Sequence, residues 1–498
     1  MNRFKRTRRD FLRTAGLGLA SVVATRCHSS APTFGSESSG ARPNILFCIA
    51  DDWSWPHASI AGDAVVKTPT FDRVAREGVL FENAFVTAPS CTPSRGSIVT
   101  GQWHWRLEEG GNLWSTLPVK FDVYPAMLEA AGYHVGCTRK GWGPGRHEPG
   151  GRTRNPAGPH YRDFATFLQA RPEGRPFCFW FGSQDPHRDY TWESGVQSGM
   201  NAADVTVPAC LPDCETVRKD LCDYYWEVQR FDREVGELLA LLAEREELDN
   251  TLVVITGDNG LPFPRCKSNL YDLGTNVPLA VRWPARVTSG RTVTDFISLQ
   301  DLAPTFLTAA GLEPTEAMTG RSFLSILTSG RAGRVDRRRD HVLTGKERHA
   351  WVRQDGLGYP CRAIRTDAFL YIRNFKPDRW PAGHPVDGGE PYYPNRAYGD
   401  IDNSPSKTYM MEHRDDPKVK PLFDMAFEKR PAEELYDLKQ DHDQIRNVVD
   451  RPEYGEIKRE LAAKLMAELT ASRDPRALGQ GDAFDHYPYY GGRQSKRP

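Results

Sequence analysis

Four apolar runs in this 498-residue chain end in polar residues able to do chemistry. Asn44 to Ala50 leads into Asp51-Asp52, and Tyr133 to Cys137 into Arg139-Lys140. Phe177 to Phe181 leads into Asp185-Pro186-His187, and Thr251 to Thr256 into Gly257-Asp258-Asn259-Gly260. Asp51, Asp52, Asp258 and Asn259 together offer three carboxylates and one amide oxygen. An all-oxygen set without His or Cys suits Ca²⁺ or Mg²⁺ rather than zinc. One acid pair at a strand end could equally cap a helix, but a second pair ending another buried run favours a cation.

The most specific segment is Ser90-Cys91-Thr92-Pro93-Ser94-Arg95-Gly96-Ser97-Ile98-Val99-Thr100-Gly101. Pro93 suits the first turn of a helix. Cys91 would then face free backbone N–H groups at a helix N-terminus, a natural anion site. Arg95 returns to the same side one turn later. On residue types alone, a structural thiol before a short helix remains open.

The elements that must carry these groups follow from the pattern. Near-continuous apolar runs of this length suit strands buried on both faces of a parallel sheet. Asp122 to Ala131 reads as a helix stopped by Gly132. Between Asp220 and Leu242, Leu221, Tyr224, Val228, Phe231, Val235, Leu238 and Leu242 recur at steps of three and four, one buried face of a long helix. Strands alternating with helices predict an α/β sheet covered on both sides, with ligands beyond the carboxyl ends of its strands. A second region begins near residue 345. Ala363 to Ile372 reads as two short strands across a turn, Leu435 to Leu438 as another, and Tyr454 to Leu469 as a charged helix. Residues 374–420 read as a long loop bordering the substrate entrance.

Lys+Arg and Asp+Glu both number 65, so bulk charge excludes a general nucleic-acid binder. Residues 1–26 hold seven basic residues against Asp10, which leaves the remainder acidic by six charges. Thr7-Arg8-Arg9-Asp10-Phe11-Leu12-Arg13 before a modest apolar stretch resembles a twin-arginine export signal. It predicts a periplasmic or secreted protein; Cys27 could carry a lipid, although Arg26 before it is not the usual small residue. No apolar run after residue 26 is long enough to span a bilayer. Cys48, Cys137 and Cys178 lie inside strand-like runs and read as small hydrophobes. Cys210, Cys214 and Cys222 leave room for a disulfide.

Cys91-Thr92-Pro93-Ser94-Arg95 resembles the Cys-x-Pro-x-Arg signature of the type I sulfatases, and the resemblance extends over most of residues 42–475. It implies an alkaline phosphatase-like sandwich: a central, mostly parallel sheet flanked by helices, with a smaller C-terminal antiparallel sheet. It implies that a separate maturation enzyme oxidises Cys91 to formylglycine, whose hydrate attacks sulfur. Asp51, Asp52, Asp258 and Asn259 match the family's metal ligands, completed by the residue at 91, with Ca²⁺ expected ahead of Mg²⁺. Arg95, Lys140 and Lys267 match groups that hold the sulfate, and His187 matches a histidine near the leaving group. The family's Lys-Trp-His is here Lys140-Gly141-Trp142, so Trp142 would line the sugar pocket or His147 or His104 would substitute. The arginine common before the Val-Pro pair is Asn276.

The expected organisation is an export signal at 1–27, a linker at 28–42, a catalytic domain at 43–345, a C-terminal subdomain at 346–475 and a tail at 476–498. Asp185-Pro186-His187-Arg188, the stretch from Asp258 to Tyr271 and Arg430 to Asp437 look most like the heparan N-sulfatase branch. The implied substrate is a sulfated oligo- or polysaccharide, N- or O-sulfated. The competing readings are a phosphonate or phosphate ester hydrolase of the same superfamily and a non-catalytic glycan-binding homologue.

Overall fold

A computed structural model describes residues 42–385 and 397–491. The export signal, Cys27 and nearly all of the linker lie outside the described residues, as does the end of the tail.

The large sheet has seven strands. In chain order they are β1 (Asn44–Ala50), β2 (Val79–Phe81), β3 (His134–Arg139), β4 (Phe177–Gly182), β5 (Thr251–Gly257), β6 (Leu279–Arg282) and β7 (Arg291–Val293). Their spatial order is β3-β4-β1-β5-β6-β2-β7. β3, β4, β1 and β5 are parallel neighbours, and β6 is antiparallel to both β5 and β2. The four polar-ended runs are therefore the four contiguous parallel strands, and all their carboxyl ends emerge on one edge.

Alternation along β1 explains the two-sided burial. Ile45, Phe47 and Ile49 join one core with Ile98, Tyr124, Leu302 and Phe306. Leu46, Cys48 and Ala50 join the other with Phe71, Val217, Tyr224 and Phe231. Side chains at i and i+2 share a face of a strand, so a run apolar at every position needs helices on both sides.

The long helix spans Glu215–Glu244, extending the expected Asp220–Leu242 at both ends, because its polar first turn gives no apolar signal. The Asp122–Ala131 helix is shorter, Tyr124–Ala130, with Pro125 in its first turn. Gly132 follows at φ 91°, and Tyr133 N–H donates to the Leu128 carbonyl, a glycine-dependent stop.

A second, antiparallel sheet orders β8 (His341–Lys346), β9 (Cys361–Thr366), β10 (Phe369–Asn374) and β11 (Glu433–Asp437). Its first strand starts before residue 345; Val342 and Leu343 are too short an apolar run to announce it. The Gly455–Ala471 helix covers this sheet through Leu461, Leu465 and Leu469. Residues 374–420 are not all loop: Pro405–Glu412 is helical, capped by Ser404 Oγ, which accepts from the Lys407 N–H. Cys48, Cys137 and Cys178 are free and buried, and Cys210, Cys214 and Cys222 are also free thiols.

Candidate active site

β1 and β5 pair in parallel with Ala50 opposite Gly257. That register puts Asp51-Asp52 beside Asp258-Asn259 at the sheet edge. Asp52 N–H donates to Asp258 Oδ1 at 3.0 Å, and Asn259 Nδ2 donates to Asp52 Oδ1 at 2.6 Å. Asp52 takes φ 76°, a conformation non-glycine residues rarely adopt outside sites that over-determine them.

The Cys91–Thr100 helix begins with the cysteine itself, so Cys91 occupies the first turn with Pro93. Its Sγ donates to Asp51 Oδ1 at 3.3 Å. One ligand atom from each of Asp51, Asp52, Cys91 and Asp258 lies within 4.8 Å of the others. Arg95, fully buried, donates from Nε to Asp258 Oδ2 at 2.6 Å and from Nη1 to the Lys140 and Gly141 carbonyls at 2.8 and 2.9 Å. Lys140 Nζ donates to Asp51. Lys267 Nζ donates to Asp52 Oδ2 at 2.7 Å and lies 3.2 Å from Asp402 Oδ2. His187 Nδ1 donates to the Arg188 carbonyl at 2.5 Å. A ring nitrogen of His187 is within 4.8 Å of the Asp52 and Asp402 carboxylates. The structure thus brings Asp51, Asp52, Cys91, Arg95, Lys140, His187, Asp258, Asn259 and Lys267 into one cluster.

The electrostatics are those of a charged cluster whose carboxylates are buried while Lys140 and His187 are half-buried. Burial would raise Asp51, but Lys140, His187 and Arg95 outweigh it and hold the carboxyl well below the usual range. Burial pushes Asp258 up despite Arg95. Burial, with Asp51 and Asp258 adding to it, drives the Cys91 thiol well above its ordinary value. An unmodified Cys91 is therefore a neutral thiol at physiological pH, and the neutral form is neither nucleophile nor metal ligand.

A hard cation fits the residues present. Three carboxylates converge with an amide whose Oδ1, on Asn259, is buried without a hydrogen-bond partner. An orphaned buried acceptor in an acid cluster is the feature a cation would satisfy.

A cavity of about 680 Å³ opens over Asp51 and Lys140, walled by Trp114, Trp142, Gln184 and His187. Trp142 is in place to meet a substrate, although most of it is buried against Gly96 and Gly145. His104 does not line this cavity. It is fully buried, edge-on to Trp105 at 4.9 Å and close to Gly345, with neither ring nitrogen partnered. It packs where the second sheet meets the catalytic layer, and burial holds its imidazole neutral. His147 sits near the surface 3.5 Å from Glu148. Trp103 and Trp105 stack on each other at 4.6 Å, Trp105 buried and Trp103 partly so, and neither lines this cavity.

Three residues at the site carry no sequence motif. His349 Nδ1 lies 2.9 Å from Ser90 Oγ, beside Cys91. Asp400 binds Arg353 at 2.6 Å and Lys346 at 3.2 Å, and Lys346 Nζ in turn donates to Ser268. Asp402 pairs with Lys267. The only available signal was the placement of 374–420 at the substrate entrance, which does not single out an acid.

Comparison with known proteins decides the family. The Sulfatase family profile matches residues 43–144 and 159–312, and the profile for the N-sulphoglucosamine sulphohydrolase C-terminal region matches residues 266–380. The chain belongs to the sulfatase family. It is 26% identical to a Formosa agariphila ulvan-active sulfatase, over 89% of this chain and 77% of that one. It is 27% identical to human N-sulphoglucosamine sulphohydrolase, over 87% and 91%. A solved structure in complex with its substrate D-glucosamine-2-N,6-O-disulfate superposes with TM-score 0.61 at 19% identity, covering 87% of this chain and 98% of that one. A phosphonate monoester hydrolase from Agrobacterium radiobacter gives 0.62 at 17% identity, covering 86% and 96%. These structural likenesses establish the alkaline phosphatase-type fold that the resemblance implied.

Proposed function

We propose that this sulfatase removes sulfate from sulfated carbohydrates at the Cys91 centre, with N-sulfated or O-sulfated glycans as substrates. The observation that carries the reading is the placement of Cys91 Sγ 3.3 Å from Asp51 Oδ1, at a helix start ringed by Arg95, Lys140 and Lys267.

Converted to formylglycine, position 91 would supply a hydrated aldehyde, one hydroxyl to attack sulfur and a second to release sulfate without a new attack on sulfur. A divalent cation held by Asp51, Asp52, Asp258 and Asn259, Ca²⁺ by the donor chemistry, would polarise the sulfuryl oxygens. The chain's own groups do the rest. Lys140 and Lys267 present ammonium groups to the sulfuryl oxygens, and Arg95 fixes Asp258 while its unpartnered Nη2 stays 3.9 Å from Asp51. His187, held by its Nδ1–H in the Arg188 carbonyl bond, has its other nitrogen free to protonate the departing oxygen or nitrogen. Arg188 is fixed by a bidentate bond to Asp220 at 2.7 and 2.9 Å, which holds the His187 turn. Trp114 and Trp142 wall the cavity that would take the sugar.

The sequence of residues 1–27 supports export by the twin-arginine route, with maturation of Cys91 by a formylglycine-generating enzyme. Mass spectrometry of the tryptic peptide containing Cys91 should show the aldehyde or its hydrate. Sulfate release should be seen from defined sulfated oligosaccharides and from an aryl sulfate in preference to an aryl phosphonate. A peptide bearing only thiol from a maturation-competent host, or a strong phosphoryl preference, would overturn the reading.

A further inference from the structure

A second cavity, of about 620 Å³, shares no lining residue with the one over Asp51. Its walls come from the turn after Asp52, the 204–210 segment, the 265–276 segment, Arg365 and the 442–444 turn. The volume lies in the range that encloses a small ligand.

Its polar lining is under-satisfied. His57 Nδ1, Asn276 Oδ1 and Gln444 Nε2 are all buried without a hydrogen-bond partner. The three residues are each more than nine-tenths buried. Buried polar groups are nearly always paired, so three orphans around one cavity describe a set of partners waiting for a polar guest. They offer different roles: an amide donor, an amide acceptor and a neutral imidazole, which burial pushes down to about 4. Trp55, Tyr225 and Tyr271 supply aromatic wall beside them. Aromatic rings interleaved with neutral donors and acceptors suit a ring bearing several hydroxyls.

The charges select against an anion. The lining arginines are already engaged. Arg365 grips Asp272 at 2.8 to 3.1 Å. Arg265 donates to the Met425 and Gln444 carbonyls and to Tyr436, and lies 3.7 Å over the Tyr271 ring. Asp63, Glu82, Asp204 and Asp443 also line the cavity, and none forms an ion pair among the described residues. Asp63 accepts from the Val65 and Val66 N–H groups at 2.8 and 3.0 Å, but no lysine or arginine pairs with any of the four among the described residues, so a sulfate would meet carboxylates with no free lysine or arginine to receive it.

We propose that this cavity is a second carbohydrate site, taking a sugar unit that carries no sulfate, with an uncharged or ammonium-bearing hexose as its ligand. Nothing in it depends on the chemistry at Cys91.

The test is calorimetric titration of full-length Cys91→Ala protein with D-glucosamine, N-acetyl-D-glucosamine and N-sulfo-D-glucosamine. At least one of the first two should bind, with Kd on the order of 1 mM for so small a ligand. Asn276→Leu, made in the Cys91→Ala background, should weaken that binding by about tenfold through loss of one hydrogen bond. Gln444→Met in the same background, which also frees the Asp272 N–H that donates to Gln444 Oε1 at 2.9 Å, should weaken it by at least as much. N-sulfo-D-glucosamine should show no binding that either substitution alters. Failure of both unsulfated sugars to bind, or binding indifferent to both substitutions, overturns the site. So does N-sulfo-D-glucosamine binding that the substitutions weaken equally. Absence of sulfate release from the Cys91 enzyme, with sugar binding still sensitive to Asn276 and Gln444, would sink the catalytic reading and support this one.

Discussion

His349 Nδ1 lies 2.9 Å from Ser90 Oγ, so a residue next to the second sheet holds the turn that begins the Cys91 helix. Ser90 does not cap that helix through its own side chain; its hydroxyl is spent on the histidine instead. Burial, against the pull of Asp400, pushes the His349 imidazole down to about 3.

That depression sets a stability prediction. His349 is neutral in the fold and would titrate near 6.5 when unfolded. Its contribution is complete above about pH 6.5 and is lost as pH falls toward 3, at about 1.4 kcal/mol per pH unit. His57, pushed down by burial to about 4, acts in the same direction. Thermal melts from pH 7 to 4 should therefore show a steep fall in Tm, and His349→Gln should flatten it. A wild-type to His349→Gln difference that stays constant across this range would show that the imidazole is not held neutral.

Asp400 neutralises two buried cations, Arg353 and Lys346, and accepts from the Ala350 N–H at 3.0 Å. Asp400→Ala would strand both cations, a loss of about 3–5 kcal/mol. Lys346 also anchors Ser268, the neighbour of Lys267. The variant should therefore show both a large drop in Tm and a raised KM for a sulfated substrate, with Asp400→Asn milder in both. A Tm unchanged in Asp400→Ala would refute the buried network.

Cys91→Ala removes the group proposed to react but little volume, since the side chain is small and its one side-chain hydrogen bond among the described residues is to Asp51. Sulfate release should fall by on the order of 10⁴-fold or more, as for loss of a covalent nucleophile. Circular dichroism and Tm should stay near wild type. Residual turnover within tenfold of wild type would remove position 91 from the chemistry.

How much of this was legible in the sequence follows from where each group sits. Asp51, Asp52, Asp258 and Asn259 could be read because they end strands that are apolar at every position, and parallel neighbours must deliver their carboxyl ends to one edge. Cys91 and Arg95 could be read because one helical turn separates them. His104 misled: offered as a stand-in for the family histidine missing after Lys140, it is a core packing residue beside Arg362. Asp400, Asp402 and His349 gave no signal, because each reaches the centre through tertiary packing of irregular segments. No periodicity or spacing encodes such an approach. The start of the second sheet was blurred for a related reason, since β8 is apolar only at Val342 and Leu343.

The orphaned Asn259 Oδ1 separates a metal centre from a mere acid cluster. In the structure Lys140, Lys267 and Arg95 already offset Asp51, Asp52 and Asp258, so charge balance alone does not call for an ion. The amide oxygen does, because no cationic side chain approaches it within bonding distance among the described residues. Chelator-treated enzyme should lose sulfate release, and Ca²⁺ should restore it. Ca²⁺ at 100 times its Kd should also raise the stability of the stripped protein by about 2.7 kcal/mol. Asn259→Leu should lower the Tm of the stripped protein, through loss of the Nδ2 bonds to Asp52 and the Gly260 carbonyl, and should separately shrink the Ca²⁺-dependent rise above that lower baseline. A Ca²⁺ response of equal size in Asn259→Leu would mean that the ion, if bound, sits elsewhere.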